Sequence, residues 1–187
     1  INLSNSIATS LAMGITKDCD VDINLNGGTL TLDNKLILAS GKKITSSGAV
    51  GTLNLNNETL VLGSVAAGWT DEFNIQNNGT IELVGSTTLK NVWTIGGEVS
   101  LSGNGNIFDI THAAAKIVID SGATLILNDV LLKGVQNLKL VFQDATSKLK
   151  LVNAKLAMTG NFNQTTGELI SVSESKIFMT TSMHAWI

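Results

Sequence analysis

Short runs of alternating apolar and polar residues recur along the chain. Leu30 and Leu32 alternate with threonines, and Leu53 and Leu55 repeat the pattern further along. Because successive side chains of a β-strand point to opposite faces, the leucines of each run share one face and the polar residues share the other. Seven such runs open with a small residue: Gly28, Gly51, Gly79, Gly97, Gly122, Ser147 and Gly167. The pattern predicts short strands that each bury one face.

These openings divide the chain into repeats of similar layout. They lie 18 to 28 residues apart, and most runs pass through a turn into a second apolar run. A third apolar patch precedes most openings. Repeats of this length with loops of variable size are typical of a solenoid. We therefore expect an all-β chain of about seven to eight coils, with two to three short strands per coil.

A turn residue recurs at a fixed distance from the openings. Six of the seven repeats carry Asn or Gly six residues after the opening, and the last carries Ser173. Asn and Gly tolerate a left-handed backbone at little energetic cost. We therefore expect every coil to turn the same left-handed corner. The corner residues would be Asn34, Asn57, Gly85, Gly103, Asn128 and Asn153.

The inward Leu, Ile and Val columns and the Asn-bearing corner resemble the right-handed parallel β-helix proteins. This group includes bacterial surface adhesins, autotransporter passenger domains, phage tailspikes and pectin-degrading enzymes. The resemblance covers nearly the whole chain, rests on architecture, and implies a right-handed parallel β-helix, the hand that parallel crossovers prefer. A β-sandwich is the alternative, because it also uses short, closely spaced strands. The absence of proline and the near-identical Gly-Thr-Leu openings favour the solenoid.

The residues that enzymes of this group use are missing. Pectate-lyase-like members are known for a catalytic arginine and a calcium-binding aspartate cluster, and the chain has no arginine. The pectin hydrolases are known for paired aspartates and a Gly-His-Gly motif, whereas His112 and His184 are each followed by alanine. Glycoside hydrolysis needs two carboxyl groups held across the bond, and the 15 acidic residues are scattered. We therefore expect a protein that is not an enzyme and uses no cofactor.

One cluster of acidic residues is a candidate metal site. Asp18, Asp20 and Asp22 alternate with other residues, so their carboxylates share one strand face where Ca²⁺ could bind. Solvated outward positions explain the same spacing, and we favour that interpretation.

The longest insertion, residues 63–73, contains a candidate carbohydrate site at Trp69, Asp71 and Glu72. A tryptophan beside carboxylates can stack on a sugar ring and bind its hydroxyl groups. The competing interpretation, which we favour, is that Trp69 covers the apolar edge of its own coil. An exposed Trp69 in a groove would indicate carbohydrate binding, and a packed Trp69 would indicate a scaffold.

Charge and composition argue against other classes of partner. The formal net charge is −3 and no basic run occurs, so the sequence lacks the clustered basic residues that nucleic-acid-binding proteins carry. No apolar stretch is long enough to span a bilayer. Cys19 is the single cysteine, so no disulfide can form within the chain.

The two ends of the repeat array lack the polar caps that solenoids normally carry. Ile7, Leu11, Met13 and Ile15 predict an additional, imperfect coil, and the chain stays apolar up to Ile187. We expect residues 1–187 to form a single solenoid domain that is a segment or subunit of a larger assembly. Its expected partners are copies of itself or flanking coils.

The expected function is structural or adhesive, as an extracellular or cell-surface stalk, passenger segment or filament subunit that stacks head to tail. The alternative is a carbohydrate-binding or tailspike-like module that uses the Trp69 loop and takes surface glycans as partners.

Overall fold

The computed structural model describes residues 9–11, 17–20, 22–66 and 68–179. All regular secondary structure in these residues is β. In chain order the strands are β1 (Thr9–Leu11), β2 (Lys17–Cys19), β3 (Ile23–Asn24), β4 (Thr29–Leu32), β5 (Leu36–Leu38), β6 (Ile44–Thr45), β7 (Gly51–Asn54), β8 (Thr59–Leu62), β9 (Phe73–Gln76), β10 (Gly79–Leu83), β11 (Thr87–Thr88), β12 (Val92–Ile95), β13 (Glu98–Ser102), β14 (Ile107–Asp109), β15 (Lys116–Ile119), β16 (Thr124–Asn128), β17 (Leu131–Val135), β18 (Leu140–Phe142), β19 (Lys148–Val152), β20 (Lys155–Met158), β21 (Glu168–Ser171) and β22 (Lys176–Met179).

The strands stack into parallel sheets in which each strand pairs with strands from the neighbouring coils. The first sheet has the order β1-β4-β7-β9-β12-β15-β18, and the second has the order β2-β5-β8-β10-β13-β16-β19-β21. The third sheet has the order β11-β14-β17-β20-β22, and β3 and β6 form a separate pair near the N-terminal end. The described residues thus form a β-solenoid of about seven coils, one for each strand of the first sheet. The expected all-β parallel solenoid is confirmed.

The side chains that point into the solenoid form continuous apolar columns. In the first sheet Leu30, Leu53 and Ile75 lie in register and are almost fully buried. Burying one such side chain contributes about 1.5–3 kcal/mol. Backbone hydrogen bonds run along the axis, as from the Thr52 amide to the Gly28 carbonyl at 3.0 Å. The apolar residues of the alternating pattern therefore form a core that extends from coil to coil.

The stacking register differs from the one expected from the openings. Gly51 opens a strand of the first sheet, whereas Gly79 opens a strand of the second. Leu53 therefore stacks on Ile75, and Ile81 stacks on Leu60. The Gly-Thr-apolar opening serves strands of both sheets, because either strand can follow a tight turn. Within the second sheet, residues in register lie 19 to 26 residues apart.

The expected single column of left-handed corners is wrong for four of its six residues. Positive φ occurs at Asn57 (67°) and Asn153 (50°), but not at the other four expected positions. The six residues also belong to two corners: Asn34 and Asn57 lie between the first and second sheets, and the other four lie between the second and third sheets. Those outside the left-handed region are Asn34, Gly85, Gly103 and Asn128.

A left-handed corner column does exist between the second and third sheets. Asn104, Asp129 and Asn153 follow β13, β16 and β19 and have φ of 49°, 46° and 50°. The side-chain amide of Asn153 lies 3.3 Å from Asp129 Oδ1, so the corner residues of these two coils are hydrogen-bonded. Small polar residues that tolerate this conformation mark the corner, as expected, but one position later in two of the three coils.

The expected additional coil near the N-terminus is confirmed as far as β1, which places Leu11 opposite Leu32. Ile7, Met13, Ile15 and the residues after Met179 lie outside the described residues. In the last described coil, Ile177, Phe178 and Met179 of β22 are exposed. The apolar column of the third sheet therefore ends at a surface within the part of the chain that the structure describes.

Candidate functional site

Trp69 packs inside the solenoid. It is 1% exposed, forms a β-bridge with Leu89, and meets the Trp93 ring edge-on at 6.1 Å and 68°. Trp93 in turn packs against Phe108 at 5.2 Å. No face of Trp69 is open to a sugar ring. The interpretation that Trp69 packs on its own coil therefore holds, and Trp69 cannot stack on a sugar.

Asp71 and Glu72 remain partly exposed beside the buried tryptophan. With Asn91, Ser46 and residues 48–50 they border an open depression of about 390 Å³. The Thr70 hydroxyl lies 3.3 Å from Asp71 Oδ2. The structure separates the two carboxylates from the aromatic face that the sequence pattern grouped with them.

The acidic residues near the N-terminal end each have a different environment. Asp20 lies 3.7 Å from the Lys42 ammonium, and Asp22 Oδ1 accepts a hydrogen bond from the Lys43 amide at 2.9 Å. The side chain of Asp18 lies outside the described part of the structure. Among described residues, no group of three or more His, Cys, Asp or Glu side chains could hold a metal ion. The described residues also contain no helix that could cross a membrane.

A charged cluster that the sequence pattern did not indicate lies on the third sheet. Asp109 Oδ2 accepts a hydrogen bond from the Lys133 ammonium at 2.9 Å, and Asp109 Oδ1 accepts one from the Thr111 amide at 2.8 Å. Lys139 is only 8% exposed and donates to the His112 carbonyl. Burial lowers the pKa of the Lys139 ammonium, and the nearby Asp109 charge opposes that shift. The cluster links the loop after β14 to the next coil, and its role is therefore structural.

Asp109 is expected to make folding pH-dependent in the acid range. Burial works to raise the pKa of its carboxyl group, but hydrogen bonds from Thr111 and Lys133 and the Lys133 charge outweigh it, so the pKa lies below 3.8. A lowered folded-state pKa means that the stabilisation is present above pH 3.8 and is lost as the pH falls through the folded-state pKa. Between about pH 5 and about pH 2 the wild type should lose more unfolding free energy than Asp109→Asn. Urea titrations followed by circular dichroism measure this difference, and equal losses would contradict it.

A groove follows the free edge of β18 in the last described coil. Residues 159–167 take the place of a first-sheet strand there but form no strand. Between β18 and residues 162–166 they leave a groove of about 300 Å³. Two hydrogen bonds hold residues 161–163 against Asn137. The Asn137 backbone N–H donates to the Asn161 carbonyl at 2.7 Å, and the Asn163 backbone N–H donates to Asn137 Oδ1 at 2.6 Å. We name this feature the β18 groove; it is lined by Asn137, Leu138, Leu140, Val141, Phe142 and residues 162–166.

The β18 groove was missed at the level of sequence, although a signal was present. Residues 160–166 read Gly-Asn-Phe-Asn-Gln-Thr-Thr, without the apolar alternation found before other openings. An interrupted alternation indicates that the chain leaves the sheet at this point. Which side chains then border the gap depends on the neighbouring coil and required the structure.

The chain matches no protein-family model, no curated protein and no solved structure.

Proposed function

We propose that the chain is a structural or adhesive β-solenoid that acts outside the cell as a stalk segment or filament subunit. The observation that carries the proposal is one apolar column of the third sheet. Phe108, Leu132 and Leu156 stack in register and are fully buried, and Ile177 continues the column but is 52% exposed. A further coil stacked on β22 would bury Ile177 as the others are buried.

The backbone at this end supports the same addition. The amides of Glu168 and Val172 donate to carbonyls of the preceding coil, at 2.9 Å each. Because alternate residues of a strand point their backbone groups to opposite sides, those of Leu169 and Ser171 point to the outer edge of β21. Among the described residues no strand pairs with that edge. An unpaired edge of this kind accepts a further strand, from a continuation of the chain or from a second copy.

The mechanical role follows from the direction of the hydrogen bonds. They run along the solenoid axis from coil to coil, so a pulling force along the axis loads every coil of the three sheets. The outer faces carry Asn, Ser and Thr in quantity, and only 14% of the residues are charged. Together with the resemblance to surface β-helix proteins, these features support a rigid spacer outside the cell.

The assembly form of the proposal is tested with two variants of one edge residue. Ser171→Pro removes an outward N–H from β21, and proline is tolerated in an edge strand, so each copy should still fold. Ser171→Ala keeps that N–H and is the matched control. We expect wild type and Ser171→Ala to form end-to-end oligomers that lengthen with concentration, and Ser171→Pro to stay monomeric. Electron microscopy and sedimentation velocity measure this.

Two outcomes would contradict end-to-end assembly. The first is a wild type that remains monomeric at every concentration tested. The second is a Ser171→Pro variant that assembles as the wild type does, since pairing at β21 would then play no part.

A further inference from the structure

The β18 groove is a break in an otherwise regular surface. The first sheet stops at β18, whereas the second and third sheets each add one more strand, β21 and β22. The Thr166 hydroxyl reaches the Phe142 carbonyl at 3.4 Å, so the loop contacts β18 through a side chain where other coils use a strand ladder. Met179 and Phe162 border a second depression of about 490 Å³ that shares Asn137 and Asn163 with the groove. The two depressions therefore adjoin at Asn137, Phe162 and Asn163, and we treat them as one surface.

The lining of this surface is uncharged and rich in groups that both donate and accept hydrogen bonds. Among the described residues that border either depression there is no Asp, Glu, Lys or His. Side-chain amides come from Asn137, Asn161, Asn163 and Gln164, and each amide offers both a donor and an acceptor. In the described part of the protein, the side-chain amides of Asn163 and Gln164 have no hydrogen-bond partner; the Asn163 group that donates to Asn137 Oδ1 is its backbone N–H.

Apolar surface lies between these amides. Phe162 is half-buried and lines both depressions, and the buried Phe142 also lines the β18 groove. Leu138 borders the groove with 78% of its surface exposed and a left-handed φ of 69°, a conformation that a bulky residue rarely adopts. Residues held in sparsely populated backbone conformations cluster at active sites and ligand-binding sites.

We propose that the β18 groove binds a short neutral saccharide. A sugar presents hydroxyl groups that both donate and accept, which matches the amides, and C–H faces that pack against a phenylalanine ring. The groove volume of about 300 Å³ falls at the lower end of the range for ligand sites. The uncharged lining gives no reason to prefer an acidic sugar. The site differs from the Trp69 region and does not depend on end-to-end assembly.

The test is saturation-transfer NMR on the full chain with four neutral disaccharides: cellobiose, lactose, maltose and sucrose. The double variant Asn163→Ala, Gln164→Ala removes two amides from an exposed loop and leaves the core intact. Gln76→Ala removes an exposed amide from another coil and is the matched control. We expect at least one disaccharide to bind the wild type and Gln76→Ala equally. The double variant should weaken that binding about tenfold, or about 1.4 kcal/mol.

Three outcomes would contradict saccharide binding at the β18 groove. Absence of transfer to all four disaccharides overturns the proposal, as does equal binding by the double variant with unchanged circular dichroism. Glucuronic acid serves as the acidic comparison, and tighter binding of it than of the neutral sugars would also contradict the site. The Ser171→Pro variant should bind as the wild type does, so failure of assembly and failure of saccharide binding can be told apart.

Discussion

Replacing Gly103 with alanine is expected to destabilise the solenoid by about 1–3 kcal/mol, the usual cost of overpacking a close contact. A Cβ at this position would lie 2.5 Å from the Val130 Cβ and 2.7 Å from the Asp129 carbonyl oxygen. Because φ at Gly103 is not left-handed, the cost arises from the neighbouring coil and not from the glycine's own backbone. The two coils must separate locally to admit the methyl group.

Gly96→Ala is the matched control for this substitution. Gly96 also has no left-handed φ, and a Cβ there would meet its nearest neighbours at 3.7 Å, an ordinary contact. Its replacement should be neutral or stabilise by about 0.4–1 kcal/mol through the unfolded chain. Urea unfolding midpoints measured by circular dichroism compare the two. Similar midpoints for both variants would show that the coils do not approach at Gly103 as closely as the structure places them.

Gly103 also illustrates what sequence reasoning could and could not provide. A glycine six residues after an opening pointed correctly to a tight place in the coil, but the expected reason was a left-handed backbone. The actual reason is contact with Val130, a residue of the following coil. Contacts between coils depend on the stacking register, and the openings alone do not define that register.

The choice of inward and outward side chains, by contrast, was predictable from alternation alone. Leu30, Leu32, Leu53 and Leu55 are all buried, as a pleat of period two requires. Which strand stacks on which was not predictable, because strands of the first and second sheets begin with the same short pattern. Because residues 63–73 were interpreted as one long insertion, the strand that stacks on Leu53 was misassigned; Leu53 in fact stacks on Ile75.

The candidate sites were less predictable than the fold. Trp69 stands beside Asp71 and Glu72 in the sequence, and local pattern could not show that Leu89 of the next coil pairs with it and draws it inside. For the β18 groove, the interrupted alternation of residues 160–166 indicates only that the chain leaves the sheet. Its shape appears only when β18 and residues 162–166 are brought side by side.

The second large effect is expected in the third-sheet column that ends at Ile177. Leu156→Ala should cost about 2–5 kcal/mol, because Leu156 is fully buried and the coils on both sides limit collapse of the cavity. Ile177→Ala shortens the next side chain of the same column, but Ile177 is 52% exposed. Its cost in the monomer should be about 1 kcal/mol or less, the range for partly exposed sites.

Measuring both variants over a range of protein concentrations connects this column to the proposed assembly. Association stabilises the folded state by mass action, so a coil that a second copy covers becomes more costly to mutate as concentration rises. Leu156→Ala should show nearly the same cost throughout, whereas the cost of Ile177→Ala should grow towards that of Leu156→Ala as oligomers form. In the Ser171→Pro background, where pairing at β21 is blocked, this growth should disappear. If the cost of Ile177→Ala stays small while the protein assembles, copies do not meet at this end, and the column ends at a surface that assembly leaves open.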